Sequence, residues 1–332
     1  MRRKERVLVT GANGLLGANI ISQLIKYGYE AIAMVRRGSN QKSLNGLKCD
    51  VFEGSFTSMN DLSEIIPKCE YVIHAAARTK HVPNDWQSFQ ESNVDGTAML
   101  IAYCKNVAIK RFIYVSSANC FANGSIDSPG DETGKFMQWL KGSGYAWSKY
   151  LGQKMVIQEF KRNNFPGLVV APTFIIGERD ARPSSGQLLL YILKNRMVFY
   201  PPGGKSFVDA DFASNAIVNA LTYGRLGHSY LIAGENMTYK DFYLLVKKTY
   251  KLRQIHFTIP GPMLKLAGYI GTLIEKVFRI SLPLNHVNQR LICLDNYFSG
   301  AKAQEELHLK PTDIENSIFK SIKWFDQNGM LT

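Results

Sequence analysis

Val7-Leu8-Val9-Thr10-Gly11-Ala12-Asn13-Gly14-Leu15-Leu16-Gly17 sets a short apolar run before three glycines and then opens a helical pattern. Arg6 to Thr10 reads as a β-strand. From Leu15 to Tyr27 the apolar residues Leu16, Ile20, Leu24 and Tyr27 recur at helical spacing. A glycine turn placed between a strand and a helix suits a pyrophosphate. Gly11 permits the tight turn, Gly14 lets the backbone approach the phosphates, and Gly17 lets the helix pack on the sheet. The helix N-terminus adds unpaired N–H groups and a positive dipole end. Asn13, Leu15 and Leu16 are counted with the glycines as cofactor contacts. A lone glycine triplet would equally suit a structural turn. The pattern of the chain beyond Gly17 decides between the two.

Strand and helix patterns alternate onward from that turn. Ala31 to Val35, Val51-Phe52, Tyr71 to Ala76, Arg111 to Ser116 and Leu168 to Ala171 read as strands. Met59 to Ile66, Phe89 to Lys105 and Tyr145 to Lys161 read as helices. Such alternation predicts an α/β fold, a Rossmann-type doubly wound parallel sheet. Ligands in these sheets lie beyond the carboxyl ends of the strands. Residues 1–177, completed by 207–233, are expected to form the dinucleotide-binding domain. Residues 178–206 and 234–332 are expected to form a smaller, mostly helical substrate-binding region, with a short strand near Ile255 to Thr258. Met263 to Phe278 is apolar-rich and is expected to lie half-buried in its own domain, contact with a membrane surface being the alternative.

Composition narrows the class. The chain has 332 residues, 45% hydrophobic and 20% charged, and a net charge of +13. The basic start runs into only four apolar residues before Gly11, too few for a secretory signal. No stretch is long and apolar enough to predict a membrane span. Cys49, Cys69, Cys104, Cys120 and Cys293 are scattered, which predicts reduced thiols in a cytoplasmic protein rather than a disulfide framework or a metal site. Lys and Arg are spread along the chain and no nucleic-acid motif is present, so the expected partner is a small molecule in an anionic-ligand pocket.

Two further clusters carry chemistry. The second strand ends in Val35-Arg36-Arg37, where an acidic residue would favour the ribose hydroxyls of NAD. Arg36 suits the 2′-phosphate of NADP, so NADP is preferred and NAD is the alternative. Tyr145-Ala-Trp-Ser-Lys149 places a phenol and an ammonium one helical turn apart. The lysine is expected to lower the pKa of the tyrosine, so that the phenol can exchange a proton with a carbonyl or alcohol oxygen. Ser116 and Ser117 end the fifth predicted strand, where Ser117 could polarise that oxygen and Ser116 line the nicotinamide side.

Together Thr10-Gly-x-x-Gly-x-x-Gly17, His74-Ala-Ala-Ala77, Asn93-Val-Asp-Gly-Thr97, Ser116-Ser117-Ala118, Tyr145-x-x-x-Lys149 and Ala171-Pro172-Thr173 resemble the extended short-chain dehydrogenase/reductases. Within that superfamily, the NAD-dependent epimerase/dehydratase family, Arg36 and Gly234-Glu-Asn-Met-Thr238 resemble the dihydroflavonol-4-reductase-like group. The resemblance implies that Ala75, Ala76 and Ala77 pass under the cofactor and that Asn93 supports their loop. It implies Ser117, Tyr145 and Lys149 as the catalytic triad, with Lys149 also on the nicotinamide ribose and Pro172 and Thr173 near the carboxamide. Arg78, His81, Asn119, Phe121 and Phe174 are substrate candidates. Where the family shows Gly-Asp near the adenine this chain has Gly54-Ser55, and Ser55 and Phe56 are the expected contacts there. The reading that results is an NADP-dependent carbonyl reductase or alcohol dehydrogenase. The alternatives are a nucleotide-sugar epimerase with bound NAD, its substrate phosphorylated or nucleotide-linked, and a non-catalytic cofactor-binding protein. A dehydratase would need Asp-Glu where this chain has Ala118-Asn119. A homodimer is a further expectation of the resemblance.

Overall fold

The computed structural model describes residues 4–80, 83–278 and 280–331. In β1 (Arg6–Thr10), Val7 and Val9 point to one side and Leu8 to the other, and all three are buried. A strand hydrophobic on both faces belongs inside a parallel sheet covered twice. The chain continues through α1 (Leu15–Lys26), β2 (Glu30–Val35), β3 (Asp50–Glu53), α2 (Met59–Ile65) and β4 (Tyr71–His74). Next come α3 (Trp86–Phe89), a π-helical segment Gln90–Asp95, α4 (Gly96–Lys105), β5 (Arg111–Val115), α5 (Gly144–Asn163), β6 (Gly167–Pro172) and β7 (Phe174–Ile176). The rest comprises α6 (Gln187–Lys194), β8 (Met197–Tyr200), β9 (Gly204–Asp209), α7 (Ala210–Ala220), β10 (Ser229–Ile232), β11 (Glu235–Thr238) and α8 (Tyr239–Thr249). It ends with β12 (Ile255–Thr258), α9 (Gly261–Phe278), α10 (His286–Cys293), β13 (Asp295–Asn296), α11 (Ala301–Glu306) and α12 (Ile314–Gln327).

Seven strands form one sheet in the order β10-β6-β5-β4-β1-β2-β3, and every pairing is parallel. This is the doubly wound order, and the strand order reverses between β1 and β4, where ligands bind. Alternate residues feed two cores. Val7, Val9, Ile73, Ile113 and Val170 pack with α1 and α7 on one face. Leu8, Val72, Phe112, Tyr114 and Val169 pack with α2, α4 and α5 on the other. A third core around Phe207, Phe242 and Phe325 holds the second region together.

Three elements differ from the sequence expectation. The helix expected over Phe89 to Lys105 is interrupted by the π-helical turn, which brings Asn93 inward to 1% exposure. Phe207 to Asp209 does not return to the large sheet. It lies in β9, which pairs with β7, β11 and β13 in a smaller sheet, while α7 packs on the Rossmann side and β10 joins the large sheet. Finally, α9 buries Leu264, Gly268 and Gly271 and leaves most of its large apolar side chains outside.

Candidate active site

The glycine turn is shaped by contacts that leave no room for a side chain. A Cβ on Gly11, whose φ is +68°, would lie 2.6 Å from the Ala76 Cα, and one on Gly17 only 2.2 Å from the Gly11 carbonyl oxygen. Gly14 is different. It is exposed, it begins α1 without a side-chain cap, and a Cβ there would meet only the Gly11 carbonyl, at 3.4 Å. The turn therefore packs against the Ala75–Ala77 loop on one side and keeps an open, donor-rich helix N-terminus on the other, which fits a pyrophosphate. Leu15 is buried at the base of the turn, and Leu16 is half-buried against the first core. Asn13 Nδ2 donates to Ser39 Oγ (3.0 Å) and to the Asn40 carbonyl (2.8 Å), tying the turn to the loop after β2.

At the adenosine end, Arg36 and Arg37 are both exposed. Arg37 is engaged: its guanidinium donates to both oxygens of Asp61, at 3.1 and 2.7 Å. Asp61 also accepts the Ser55 N–H at 2.8 Å, and these hydrogen bonds hold its carboxyl below the usual range. A carboxylate thus sits under Gly54-Ser55, delivered from α2. Ser55 Oγ is bonded to Thr57, and Phe56 lies edge-on to His74, 4.9 Å between centroids.

A chain of hydrogen bonds connects the glycine turn to α5. Thr97 Oγ1 donates to the Asn93 carbonyl at 2.7 Å, so it accepts from His74 Nε2 at 3.0 Å. His74 Nδ1 then accepts from Thr10 Oγ1 at 2.7 Å, and Thr10 Oγ1 accepts the Ala76 N–H at 3.2 Å. Burial pushes the His74 pKa down to about 3, which keeps the ring neutral as this pattern requires. Asn93 accepts the Arg78 N–H (2.7 Å) and donates to the Arg78 carbonyl (3.0 Å) and to Ser148 Oγ (2.9 Å). Ser148 Oγ donates to the Tyr145 carbonyl at 2.9 Å.

Ser117, Tyr145 and Lys149 converge at the carboxyl end of β5. Ser143 begins α5 by accepting the Ala146 N–H at 3.3 Å, which sets Tyr145 in the first turn. The Tyr145 hydroxyl is hydrogen-bonded to Ser117; burial raises its pKa to about 12 and that bond pulls it down. Lys149 is 2% exposed, and burial pushes its pKa down to about 7. Its ammonium lies 4.1 Å from the centroid of the buried Tyr114 ring. The sequence predicts that Lys149 lowers the tyrosine pKa. In this structure desolvation dominates both groups, the lysine cation is held by the Tyr114 face, and the lowering effect on Tyr145 comes from Ser117. Ser116 Oγ donates to Gln153 Oε1 at 2.7 Å and contacts Cys120 Sγ at 3.3 Å.

The remaining candidates are scattered around this centre. Pro172 ends β6 and is buried, while Thr173 Oγ1 donates to the Ile232 carbonyl at 3.2 Å. Asn119 is half-buried beside Ser117, and Phe174 lies edge-on to Phe207 at 5.5 Å. Arg78 folds over Phe89, 5.2 Å to the ring centroid. Phe121 is 4% exposed and packs with Ala171, Leu231 and Phe298, which makes it core rather than a wall open to substrate. His81 lies outside the described residues. Sequence reasoning does not single out Asp61, Thr10, Tyr114, Ser148 or Gln153. Only the position of Asp61 shortly after Gly54-Ser55 could have signalled a replacement carboxylate.

A doubly wound sheet, a glycine turn open to phosphate and a Ser-Tyr-Lys cluster at the end of a central strand define an NAD(P)-dependent enzyme of the extended short-chain dehydrogenase/reductase type. A sequence model of the NAD dependent epimerase/dehydratase family matches residues 7–233, and the chain belongs to that family. Its relatives include sterol demethylase protein B of Methylococcus capsulatus, 26% identical with 98% of this chain and 99% of that one covered. Another is a putative dihydroflavonol 4-reductase of Synechocystis, 25% identical over 97% of this chain and 94% of the relative. Among solved structures, gox2253 superposes with a TM-score of 0.88 at 24% identity, covering 99% of this chain and 100% of that one.

Proposed function

We propose that the chain is an NADP-dependent oxidoreductase that moves a hydride to or from the carbonyl or alcohol carbon of a small molecule. The observation that carries the reading is the Tyr145–Ser117 hydrogen bond with Lys149 one turn along α5, beside the end of β5. Gly11, Asn13, Gly14 and Gly17 would hold the pyrophosphate, and Arg36 the 2′-phosphate. Ser55 and Phe56 would border the adenine, with Asp61 supplying the carboxylate there. When bound, the nicotinamide gives or takes the hydride. Ser117 would hold the substrate oxygen, Tyr145 would donate its hydroxyl proton to it in reduction and recover a proton from solvent, and Lys149 would hold the nicotinamide ribose from the next turn of α5. Pro172 and Thr173 would border the carboxamide. The names of the sterol and dihydroflavonol relatives support a ring-bearing alcohol or ketone as substrate class.

The test is NADPH oxidation followed by absorbance across a panel of ring ketones. Tyr145→Phe is expected to lose about 10²- to 10⁴-fold in kcat with cofactor affinity kept. Full activity in that variant would contradict the proton route. Activity confined to nucleotide sugars, with NAD that resists stripping, would instead assign the epimerase reaction.

A further inference from the structure

The surface of the second region carries an unusual division of residues on α9. Its inward face is made of Leu264, two glycines and polar groups. A Cβ on Gly271 would lie 2.0 Å from the Leu284 carbonyl oxygen, and one on Gly268 2.8 Å from the Gln289 Cβ. Thr272 Oγ1 accepts the His286 N–H at 2.9 Å, and Glu275 accepts the Leu282 N–H at 2.7 Å and Asn285 Nδ2 at 3.2 Å. These contacts fix the rotation of the helix. The opposite face, at helical spacing, is Met263, Leu266, Ile270, Leu273 and Val277, between 49% and 64% exposed. A helix that turns most of its large apolar side chains to water while its glycines face the protein has a surface built for something other than its own core.

A second apolar face adjoins it along the chain. β8 and β12 pair in parallel, with Met197 opposite Ile255 and Phe199 opposite Phe257. All four side chains are exposed, and the two phenyl rings stack at 5.3 Å. Ile259 and Pro260 lead directly from this ribbon into α9.

Charge selects the occupant. Lys265 and Lys276 are exposed on α9, Arg196 and Arg253 lie just before β8 and β12, and Lys194, Lys248 and Lys251 are exposed on α6, on α8 and just after α8. On α9, β8 and β12 themselves the acidic residue is Glu275, and it is turned inward onto Leu282 and Asn285, while Asp241 of α8 and Glu315, which accepts from Thr249, are the exposed acids near the flanking cations. Two copies meeting through α9 would bring Lys265 and Lys276 together, with Glu275 already engaged by Leu282 and Asn285. An apolar helix face whose own exposed charges are Lys265 and Lys276 matches a bilayer surface of anionic lipid, with side chains in the acyl boundary and ammonium groups at the phosphates. Among the described residues no helix is long and apolar enough to cross a membrane, so α9 would lie on the surface.

We propose that α9 and the β8–β12 ribbon form a docking surface for an anionic lipid bilayer. The assignment does not depend on the reaction proposed above. The rim of the candidate active site is nearby in the fold, since a Cβ on Gly142, just before α5, would lie 2.8 Å from Val287 of α10, the helix under α9.

The experiment is co-sedimentation of the full chain with phosphatidylcholine vesicles, with and without phosphatidylserine. Binding is expected on the mixed vesicles and to be much weaker on the neutral ones. Lys265→Gln with Lys276→Gln is expected to weaken binding roughly 30-fold, at about 1 kcal/mol per cation near the surface. Leu266→Ser with Leu273→Ser is expected to abolish it while leaving cofactor affinity and the thermal melt unchanged, because both side chains are already in water. Failure to sediment with either vesicle, or equal binding to both, would overturn the proposal. A concentration-dependent dimer dissolved by the Leu266→Ser/Leu273→Ser pair would overturn it in favour of a second copy.

Discussion

At the scale of single residues, the candidate site rests on side chains whose chemistry is set by burial. Lys149 is the sharpest case. Its pKa is pushed down to about 7 from an ordinary 10.5, so the folded protein holds a lysine that resists protonation. Between those two values the unfolded chain binds more protons than the folded one, and stability rises with pH. Below about pH 7 the penalty is fully present. Lys149→Met is therefore expected to stabilise the protein by on the order of 1–3 kcal/mol at pH 7, an advantage that shrinks as pH approaches 10. Urea unfolding of both proteins at several pH values checks this. A constant difference across the range would show that the cation is not held against its solvation. Tyr145, Lys149, Ser117 and the glycines are legible in the sequence because each is a specific residue type at a fixed spacing within one or two adjacent elements. Asp61 is not. Its partners Arg37 and Ser55 come from different elements, and nothing in a linear pattern says which carboxylate a guanidinium will find.

Elements show the same division between local and non-local signals. β1 through β6 and, apart from the helix broken at Gln90–Asp95, the helices between them follow from hydrophobic periodicity, and they appear close to their expected bounds. The small strands β7, β9, β11 and β13 are stabilised by pairing across long stretches of chain, which periodicity does not encode. Nor does it encode the outward face of α9, because leucines lie on both sides of the helix and the spacing alone does not say which of them are buried. The contact of α1 with the glycine turn yields a test at this scale. The Cβ of Gly17→Ala would have to displace the Gly11 carbonyl and the Ala12 Cα, both backbone atoms. The variant is expected to lose about 1–3 kcal/mol of stability and to bind dinucleotide at least ~10-fold more weakly, since the phosphate donors move with the turn. Differential scanning calorimetry and a binding titration report the two effects. An unchanged melt with unchanged binding would mean that the packing of α1 on this turn tolerates the methyl group.

For the molecule as a whole, one sheet brings the three proposed functions to its carboxyl edge: phosphate binding after β1, adenosine recognition after β2 and β3, and proton transfer after β5. The bonds from Ala76 through Thr10, His74, Thr97 and Asn93 to Ser148 make the first and last of these a single rigid construction. Family membership follows from that frame, while in the proposed reaction the choice between NADP and NAD hangs on Arg36, because Arg37 is already committed to Asp61. A charge-assisted contact to a 2′-phosphate is worth roughly 1.5–3 kcal/mol, about 10- to 150-fold in affinity. The decisive measurement is a fluorescence titration of nucleotide-stripped protein with NADPH and with NADH, repeated with Arg36→Ala. Preference for NADPH by that factor is expected, and its disappearance in the variant. Equal affinity for the two cofactors, or a preference for NADH that Arg36→Ala leaves intact, would contradict the role given to Arg36 and with it the NADP-dependent reaction.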